Sequence, residues 1–494
     1  MRSLYAELLL PHVLVSLLVV AASASLPQPP VPNIVVVIAD DLGYGDLGCY
    51  GDPRIRTPHL DRFAAEGLRL TSYYAPAANC SPSRTGLLTG RIPTRVGITD
   101  WIPQLSPMHV RRTEVTVATL LRRAGYATCL VGKWHLNGGL DLTEQPQPND
   151  HGFDYWFAKQ NIALASHRNP TNFFRNGQPV GPLRGYSAEI VGAEAVHWLT
   201  AIRDKTKPFF LYVAFHEPHE PIATAERYVA LYPNTPPSQA AHHGNITQLD
   251  DAFGRLMQAL DAQGLRENTL VFFTIDNGPA ITPMHPHGSA GPLREKKGHL
   301  YEGGIRVPGL LRWPGRVRPG SVSDEPVDGI DLLPTLCAIA GLPLPQGRKI
   351  DGANLVPLLE GKPVDRRTPL FWHFFAASSA PKVAMRVGDW KLLARLDQPN
   401  PTKRNHITAD DQRALKTAEL TTFELYNLRA DVGEQHDLAQ QEPERVKAMA
   451  VAMRALYHEV RDECPLWPEW TFANYDGPRI KWPPWWKPKG RPKK

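Results

Sequence analysis

The chain has 494 residues, of which 42% are hydrophobic and 21% are charged. A globular chain of this size can bury a large core, and its length suggests about two to four domain-sized units. Its formal net charge is +6, but much of the excess basic charge lies between Arg479 and Lys494. The charge balance therefore does not favour a protein that binds nucleic acid over its whole surface.

The N-terminus predicts a signal peptide at residues 1–24. An apolar run, Val13 to Val20, is followed by Ala22-Ser23-Ala24, which has the small-x-small form of a signal-peptidase site. An uncleaved membrane anchor is the alternative, but the run is short for a span and Glu7 and Pro11 precede it. We expect export to the periplasm, the lysosome or the outside of the cell, without stable membrane insertion after cleavage.

The five cysteines are scattered and do not form the pattern of a disulfide-rich domain. They are Cys49, Cys80, Cys129, Cys337 and Cys464. After export these residues could oxidise, but an odd number leaves one without an intramolecular partner. Cys80 is our candidate for that unpaired residue.

The first internal apolar run, Asn33 to Ala39, predicts a strand buried on both faces of a mostly parallel sheet. Asp40 and Asp41 follow it directly. Ligands of open α/β sheets gather beyond the carboxyl ends of the strands, so these carboxylates are well placed for a hard cation. The alternative is a helix-capping aspartate with a solvated neighbour.

Three later apolar runs, at residues 127–131, 208–215 and 270–275, also end in polar side chains. These are Lys133 and His135, then His216 and His219, then Asp276 and Asn277. Lys133 and His135 would share a face of an extended chain and could address one anion, although each alone is more typical of a surface or structural residue. Helix capping alone does not readily explain four apolar runs that each end in polar side chains of this kind. The oxygen ligands at residues 40, 41, 276 and 277 predict calcium or magnesium and not zinc.

Residues Cys80 to Arg91 read Cys-Ser-Pro-Ser-Arg-Thr-Gly-Leu-Leu-Thr-Gly-Arg. Pro82 is typical of a first helical turn, so we expect Cys80 at a helix N-terminus. The helix dipole and unpaired amide groups there favour a thiolate or an anionic substrate, and Arg84 adds a cation one turn later. The alternative is an ordinary free cysteine packed at a helix start.

The same stretch, Cys-x-Pro-x-Arg followed by Leu-Thr-Gly-Arg, resembles the signature of the type I sulfatases. Gly132-Lys133-Trp134-His135 resembles their second signature, and Leu293 to Gly304 resembles their lysine segment, with Lys297 at the matching position. Lys296 is an extra basic neighbour where the family commonly has glycine. The resemblance runs in consistent order from about Pro32 to Leu438, in a layout similar to the arylsulfatase and N-acetylgalactosamine-6-sulfatase branch.

The resemblance implies that Cys80 is oxidised to formylglycine, whose hydrate is both the nucleophile and a metal ligand. The cation would be held by Asp40, Asp41, Asp276 and Asn277 and would polarise a sulfate oxygen. Most of the family uses calcium, and magnesium is the alternative. Maturation implies a formylglycine-generating enzyme as a partner.

Roles for the basic side chains follow from the same resemblance. Arg84, Lys133 and Lys297 would neutralise charge on the sulfuryl group. The family's His-x-Pro selects His219 over His216 as the group that protonates the leaving alcohol, a task shared with Lys297. His135 would help to break down the formylglycine-sulfate intermediate.

The resemblance also implies an alkaline-phosphatase-like α/β fold, in which a large mixed, mostly parallel sheet is flanked by helices and followed by a smaller C-terminal α+β subdomain. We expect a catalytic domain at residues 25–375 and an antiparallel-sheet subdomain at 376–466. A basic tail rich in Trp and Pro occupies 467–494, and it either packs on the domain or adds aromatic and basic contacts to a sulfated glycan.

Helical spacing of apolar residues predicts packing helices at 189–202 and 247–265. In the C-terminal part, residues 384–396 and 422–428 predict strands, and residues 444–460 predict an amphipathic helix.

The implied function is hydrolysis of sulfate esters on a sulfated carbohydrate, with aryl sulfates as surrogates. Two alternatives stay open. A phosphonate or phosphodiester hydrolase can share the signature on the same scaffold, and an unmodified protein could bind sulfated glycans through its basic tail without turnover. Six loop residues could line a substrate pocket, namely Trp101, His109, His167, Arg168, His285 and His287.

Overall fold

The computed structural model describes residues 31–398, 405–483 and 485–486. The predicted signal peptide and residues 487–494 of the basic tail lie outside the described residues. Among the described helices, none has the length and apolar character that a membrane crossing requires.

Sixteen strands occur in the described part of the chain. They are β1 (Asn33–Asp40), β2 (Leu68–Leu70), β3 (Tyr73–Tyr74), β4 (Ala127–Lys133), β5 (Tyr155–Lys159), β6 (Phe174–Arg175), β7 (Gln178–Pro179), β8 (Phe209–Pro218), β9 (Thr269–Ile275), β10 (Gly309–Arg312), β11 (Ser321–Ser323), β12 (Val327–Asp328), β13 (Leu370–His373), β14 (Val383–Val387), β15 (Trp390–Leu396) and β16 (Leu420–Asn427).

The α-helices of the same residues are α1 (Pro58–Ala65), α2 (Cys80–Thr89), α3 (Pro93–Val96), α4 (Val117–Arg123), α5 (Ser187–His197), α6 (Glu226–Val229), α7 (Pro237–Ala262), α8 (Glu302–Ile305), α9 (Leu332–Ile339), α10 (Val356–Leu359), α11 (Ala409–Thr417) and α12 (Pro443–Glu463).

A ten-stranded sheet in the order β11-β2-β10-β9-β1-β8-β4-β5-β6-β7 forms the centre of the fold. Its middle strands β9, β1, β8, β4 and β5 are all parallel, and antiparallel pairs occur on both sides of them. Every residue of β1 is buried, as the continuous β-branched run predicts. The predicted mixed, mostly parallel sheet is confirmed.

The four apolar runs singled out in the sequence are β1, β4, β8 and β9, and they are neighbours in this sheet. Parallel neighbours end at the same edge, so the polar residues that follow them are brought to one place. Helices α5 and α7 pack on each other and on β8, and α4 packs on β4. The sheet thus supplies a rigid base for the side chains at its edge.

Three predicted elements differ from the structure by more than three residues at an end or in kind. Helix α7 begins at Pro237, ahead of the predicted Thr247, because its first turns pack through histidine and small residues that lack apolar spacing. The predicted helix at 189–202 is α5 followed by a π-helical turn at Trp198–Ile202. The single strand predicted at 384–396 is the hairpin β14–β15, since Gly388, with φ 56°, turns the chain between them.

Strands β13, β14, β15 and β16 form a separate antiparallel sheet, and helix α12 packs on it through a shared apolar cluster. Lys391 of β15 is fully buried and lies 2.9 Å from carboxylate oxygens of both Glu302 and Glu434. Glu302 begins α8 and lies within the lysine segment at 293–304. The small sheet therefore holds the segment that carries Lys297. The predicted domain limits at 375 and 466 stay a prediction.

Candidate active site

The site lies at the carboxyl edge of the parallel strands. Asp40 is the last residue of β1, Lys133 is the last of β4, Asp276 and Asn277 follow β9, and His219 follows β8. Asp41 has φ 65°, a left-handed conformation that turns the chain away from β1 immediately after Asp40. The strand order thus brings together the polar residues that the sequence predicts as ligands.

Each of the three carboxylates has one oxygen bound to a cation. Lys133 Nζ donates to Asp40 Oδ2 at 2.7 Å, and Arg84 Nη2 donates to Asp276 Oδ2 at 2.8 Å. Lys297 Nζ lies 2.6 Å from Asp41 Oδ1. Burial opposes ionisation of Asp40, but Lys133 and the other nearby cations hold the pKa of its carboxyl well below the usual range. Asp40 is therefore a buried carboxylate stabilised by its neighbours.

The opposite oxygens of Asp40 and Asp276 have only long contacts, with the Cys80 sulfur at 3.6 Å and the Asp41 N–H at 3.3 Å. Ligand atoms of Asp40, Asp41, Asp276 and Cys80 all lie within 4.8 Å of one another. Asp41 Oδ2 and Asn277 Oδ1 are buried and have no hydrogen-bond partner among the described residues. A buried polar atom without a partner is costly, and a cation bound by oxygens would remove that cost. The residues present therefore fit a hard divalent cation.

Cys80 is the first residue of α2, where the Asn79 side chain caps its backbone N–H at 2.9 Å. Its Sγ lies 3.6 Å from Asp40 Oδ1 and 3.4 Å from Lys297 Nζ. Burial raises the pKa of the thiol to about 12, although Lys133 and Lys297 oppose this. The helix start favours a thiolate or an anionic substrate, but burial works against the thiolate here because desolvation outweighs the two nearby lysines. All five cysteines of the chain are unpaired.

The two lysines of the 293–304 segment differ in their surroundings. Lys297 reaches Cys80 and Asp41, whereas Lys296 Nζ donates to the Ile281 carbonyl at 2.8 Å. Burial works against the charge of Lys297, but Asp41 and Cys80 raise its pKa well above the usual value. Lys297 is thus the member of the pair that presents a positive charge at the site.

Lys133 and His135 do not share a face of extended chain as expected, because β4 ends at Lys133 and His135 has φ 58°. Lys133 turns to Asp40, while His135 Nε2 donates to the Ile102 carbonyl at 3.1 Å. This bond places the ring hydrogen on Nε2 and leaves Nδ1 unprotonated, without a partner among the described residues. His135 therefore offers a free nitrogen that can accept a proton.

Two histidines follow one another near the end of β8, and they differ in position. His219 lies with Nε2 3.7 Å from Asp41 Oδ2, and its Nδ1 donates to the Glu220 carbonyl at 2.6 Å. His216 is fully buried and packs on His167 at 4.3 Å between ring centroids. Burial lowers the pKa of His219 to about 4, so its imidazole is neutral near pH 7 before an anion binds.

A cavity of about 330 Å³ opens above these groups. Cys80, His135, His219 and Lys297 form its floor. Arg84 and Lys133 are fully buried and hydrogen-bond to the carboxylates below, so they are absent from its lining. The direct contacts of these two cations are therefore with Asp40 and Asp276.

Of the six loop residues proposed from sequence, Trp101 lines this cavity. His109 contacts Trp467, and Arg168 stacks on Tyr186. His285 and His287 belong to a histidine cluster with His242, and His167 packs below on His216.

The cavity also includes Gln104, Asn161 and Glu220, and residues between Phe472 and Trp482. The His-x-Pro-x-x-Pro run at 216–221 could have indicated Glu220 from sequence. No sequence pattern indicates the other lining residues.

Comparisons with known proteins agree with this geometry. A sequence model of the sulfatase family matches residues 32–342, and one described as N-sulphoglucosamine sulphohydrolase, C-terminal, matches 295–414. Arylsulfatase A of Homo sapiens is 38% identical over 447 residues, covering 85% of this chain and 86% of that protein. N-acetylgalactosamine-6-sulfatase of Rattus norvegicus is 36% identical over 395 residues, covering 74% and 72%.

Solved structures agree with the sequence comparisons. The sulfatase PsFucS1 from Pseudoalteromonas sp. superposes with a TM-score of 0.72 at 26% identity, covering 89% of this chain and 92% of that one. The match of the family model extends over more than half of the chain, and it includes all the residues of the carboxylate cluster and Cys80. The chain belongs to the sulfatase family.

Proposed function

We propose that this chain hydrolyses sulfate esters of carbohydrates, with Cys80 oxidised to formylglycine and a calcium ion bound beside it. The observation that carries the proposal is the position of the Cys80 sulfur, 3.6 Å from Asp40 Oδ1 and 3.4 Å from Lys297 Nζ. This atom lies between two features: a carboxylate cluster that suits a cation, and Lys297, which suits an anionic oxygen. The relatives named arylsulfatase A and N-acetylgalactosamine-6-sulfatase support the substrate class.

The group at position 80 would act as the nucleophile. Formylglycine at position 80 would supply a hydrated aldehyde, and a hydroxyl group of that hydrate would be the nucleophile for sulfur as the bond from sulfur to the ester oxygen breaks. A divalent cation held by the four oxygen ligands would polarise a sulfate oxygen and lower the pKa of the hydrate. Calcium fits better than zinc because the donor set is three carboxylates and an amide oxygen.

Lys297 would bind a sulfate oxygen directly, since it is charged and lines the floor of the cavity. The leaving oxygen needs a proton, and His219 lines the cavity together with Lys297, both side chains lying close to Asp41. An anion bound next to His219 raises the pKa of its imidazole, because the imidazolium form is then favoured. We assign His219 as the proton donor, with Lys297 sharing the role.

His135 would act in the second half of the reaction. Its Nδ1 is the free nitrogen, and it would accept the proton of the second hydroxyl group as sulfate leaves and the aldehyde is restored. Arg84 and Lys133 would hold Asp276 and Asp40 in their ionised, metal-binding geometry. They would therefore affect the sulfuryl group indirectly, through the carboxylates that they hold in place.

The test is a comparison of substrates with protein made together with a formylglycine-generating enzyme. We expect turnover of para-nitrophenyl sulfate and of monosulfated sugars, and loss of turnover in Cys80→Ala. Faster turnover of para-nitrophenyl phenylphosphonate than of the sulfate would favour the phosphonate hydrolase instead. Glycan binding without any turnover would favour the unmodified binding protein.

We also propose that residues 1–24 direct export and that oxidation of Cys80 accompanies it. The apolar run and the small-x-small site support this, and they predict a mature chain that begins near Ser25. Sequencing the N-terminus of protein secreted from a host cell tests the proposal. Retention of Met1 in exported protein would contradict it.

A further inference from the structure

The C-terminal tail forms one wall of the active-site cavity. We call residues 472–482 the tail wall. The tail wall adds to the lining Phe472, Asn474, Tyr475, Asp476, Gly477, Ile480 and Trp482. The catalytic floor comes from the family's signature positions, whereas this wall comes from a segment beyond the matches of both family models.

The tail wall is attached at both ends. Before it, Trp470 and Ile407 exchange two backbone hydrogen bonds of 2.9 Å. At its start, the Phe472 ring packs edge-on against Trp101 at 5.8 Å between centroids. At its end, the Lys481 N–H donates to the Ala165 carbonyl at 2.7 Å. A segment fixed at both ends can hold its side chains at defined positions around a ligand.

Charge is distributed unevenly between floor and wall. Lys297 is the one lysine or arginine among the described residues that line the cavity, and it lies on the floor. The lining also carries two carboxylates, those of Asp476 in the tail wall and Glu220 after β8. Arg479 is outside the lining, with its Nη1 4.0 Å from Asp476 Oδ1. One anionic group is thus accommodated at the floor, and a second one near the wall would meet like charge.

The remaining lining suits a sugar ring. Asn161 and Asn474 offer amide donors and acceptors, and the two carboxylates accept hydrogen bonds from hydroxyl groups. Tyr475, Trp482 and Trp101 supply aromatic faces and edges at the same cavity. Aromatic surface combined with a few polar groups gives affinity and orientation to a small polyhydroxyl ligand.

We propose that the tail wall binds the ring of the leaving alcohol and selects monosulfated sugars whose ring carries no second anionic group. This inference rests on the proposed sulfatase activity and adds the substrate class that the cavity accepts. Asp476 and Glu220 accept hydroxyl hydrogen bonds and repel a second sulfate or a carboxylate. Trp482 and Tyr475 cover the ring.

The experiment measures kcat and KM of the formylglycine-bearing protein for three kinds of substrate. These are para-nitrophenyl sulfate, a panel of monosulfated galactose, glucosamine and N-acetylgalactosamine, and the disulfated forms of the same sugars. The variants are Trp482→Ala, Tyr475→Ala and Asp476→Asn. Trp486→Ala and Glu469→Gln are the matched controls, because both residues are in the tail but outside the cavity lining.

We expect Trp482→Ala and Tyr475→Ala to raise KM for the best monosulfated sugar by about tenfold, with para-nitrophenyl sulfate changed by less than about threefold. We expect the wild type to prefer that sugar to its disulfated form by at least about tenfold, and Asp476→Asn to reduce this preference. The controls should leave all three substrates unchanged.

Equal losses on para-nitrophenyl sulfate and on the sugar would overturn the inference, because the tail wall would then only support the fold. So would unchanged sugar kinetics in all three variants, or a wild type that prefers disulfated sugars. A wild type that cleaves the aryl sulfate but none of the sugars overturns the inference and leaves the sulfatase reaction intact. A wild type inactive on every sulfate ester is instead the failure of the proposed function.

Discussion

The Nζ of Lys297 lies 2.6 Å from Oδ1 of Asp41. This contact joins the lysine segment to the carboxylates at the end of the central strands, and Cys80 lies beside it. The pair shows how the site is balanced: the cation keeps Asp41 ionised, while Asp41 keeps Lys297 protonated. A buried charge pair of this kind is costly to break from one side.

Removing the Lys297 cation is expected to slow the reaction strongly. In Lys297→Ala, kcat for para-nitrophenyl sulfate should fall by about 100- to 1000-fold, because a preorganised donor to the reacting oxygen is lost. Lys296→Ala is the matched control, since Lys296 bonds to a backbone carbonyl away from Cys80. Equal losses in the two variants would remove Lys297 from the reaction.

Replacing His219 should matter more for poor leaving groups. We expect His219→Gln to lower kcat/KM for a sulfated sugar by about 100- to 1000-fold, because the sugar alkoxide cannot leave without a proton. Para-nitrophenolate leaves without one, so its sulfate ester should lose less than about tenfold. His287→Gln, outside the cavity lining, is the control. A loss that is the same for both substrates would mean that His219 positions the substrate and does not donate the proton.

Metal removal should reduce both activity and thermal stability. Chelation of the purified protein is expected to abolish turnover, and calcium should restore it and raise Tm, because a ligand that binds only the folded state stabilises it. In Asn277→Ala, which loses the free Oδ1, calcium should bind at least about 100-fold more weakly by calorimetry. Exposed Asp365→Asn should bind calcium normally. A Tm that calcium does not change in the wild type would argue against the site.

The gathering of polar residues at one edge of the sheet could be anticipated from sequence, because each of four strands is a continuous apolar run followed at once by polar residues. Asp40, Asp41, Asp276 and Asn277 were predicted together for that reason. The pairing of cations with carboxylates could not be anticipated, since it depends on side-chain directions: Lys133 turns to Asp40. The same applies to the thiol of Cys80, because the extent of its burial is a property of the packed fold.

The tail wall illustrates a different limit of sequence reasoning. Its Trp, Pro and charged residues have no periodicity, so the sequence shows the composition of the tail but does not indicate which part of the protein it packs against. Only long-range contacts, such as Lys481 with Ala165 and Phe472 with Trp101, bring it to the cavity. The first turns of α7 were missed for a related reason, since His242 and His243 replace the apolar residues that signal a helix.

A buried aspartate of α7, whose side chain caps the start of α1, should make stability depend on pH. Asp250 accepts hydrogen bonds from the His59 and Leu60 N–H groups, and burial raises the pKa of its carboxyl from 3.8 to about 7. At pH values between 3.8 and about 7, the Asp250 carboxyl is protonated in the folded protein and ionised in the unfolded chain. The contribution of Asp250 to the free energy of unfolding is therefore full below about pH 4 and is lost as pH rises towards about 7.

Asp250→Asn removes this titration. We expect the Tm of the wild type, measured relative to that of Asp250→Asn, to fall as pH rises from about 4 to about 7. Asp365→Asn serves as an exposed comparison and should show no such trend. A difference between wild type and Asp250→Asn that stays constant with pH would contradict the raised pKa.

The state of Cys80 is the most direct test of the whole account. Protein produced together with a formylglycine-generating enzyme should be digested with trypsin, and the peptide that contains Cys80 should be weighed by mass spectrometry. We predict a loss of mass that corresponds to the thiol becoming an aldehyde, and a peptide that reacts with hydrazide reagents. An unmodified cysteine under these conditions, in protein that still cleaves sulfate esters, would contradict the proposed nucleophile.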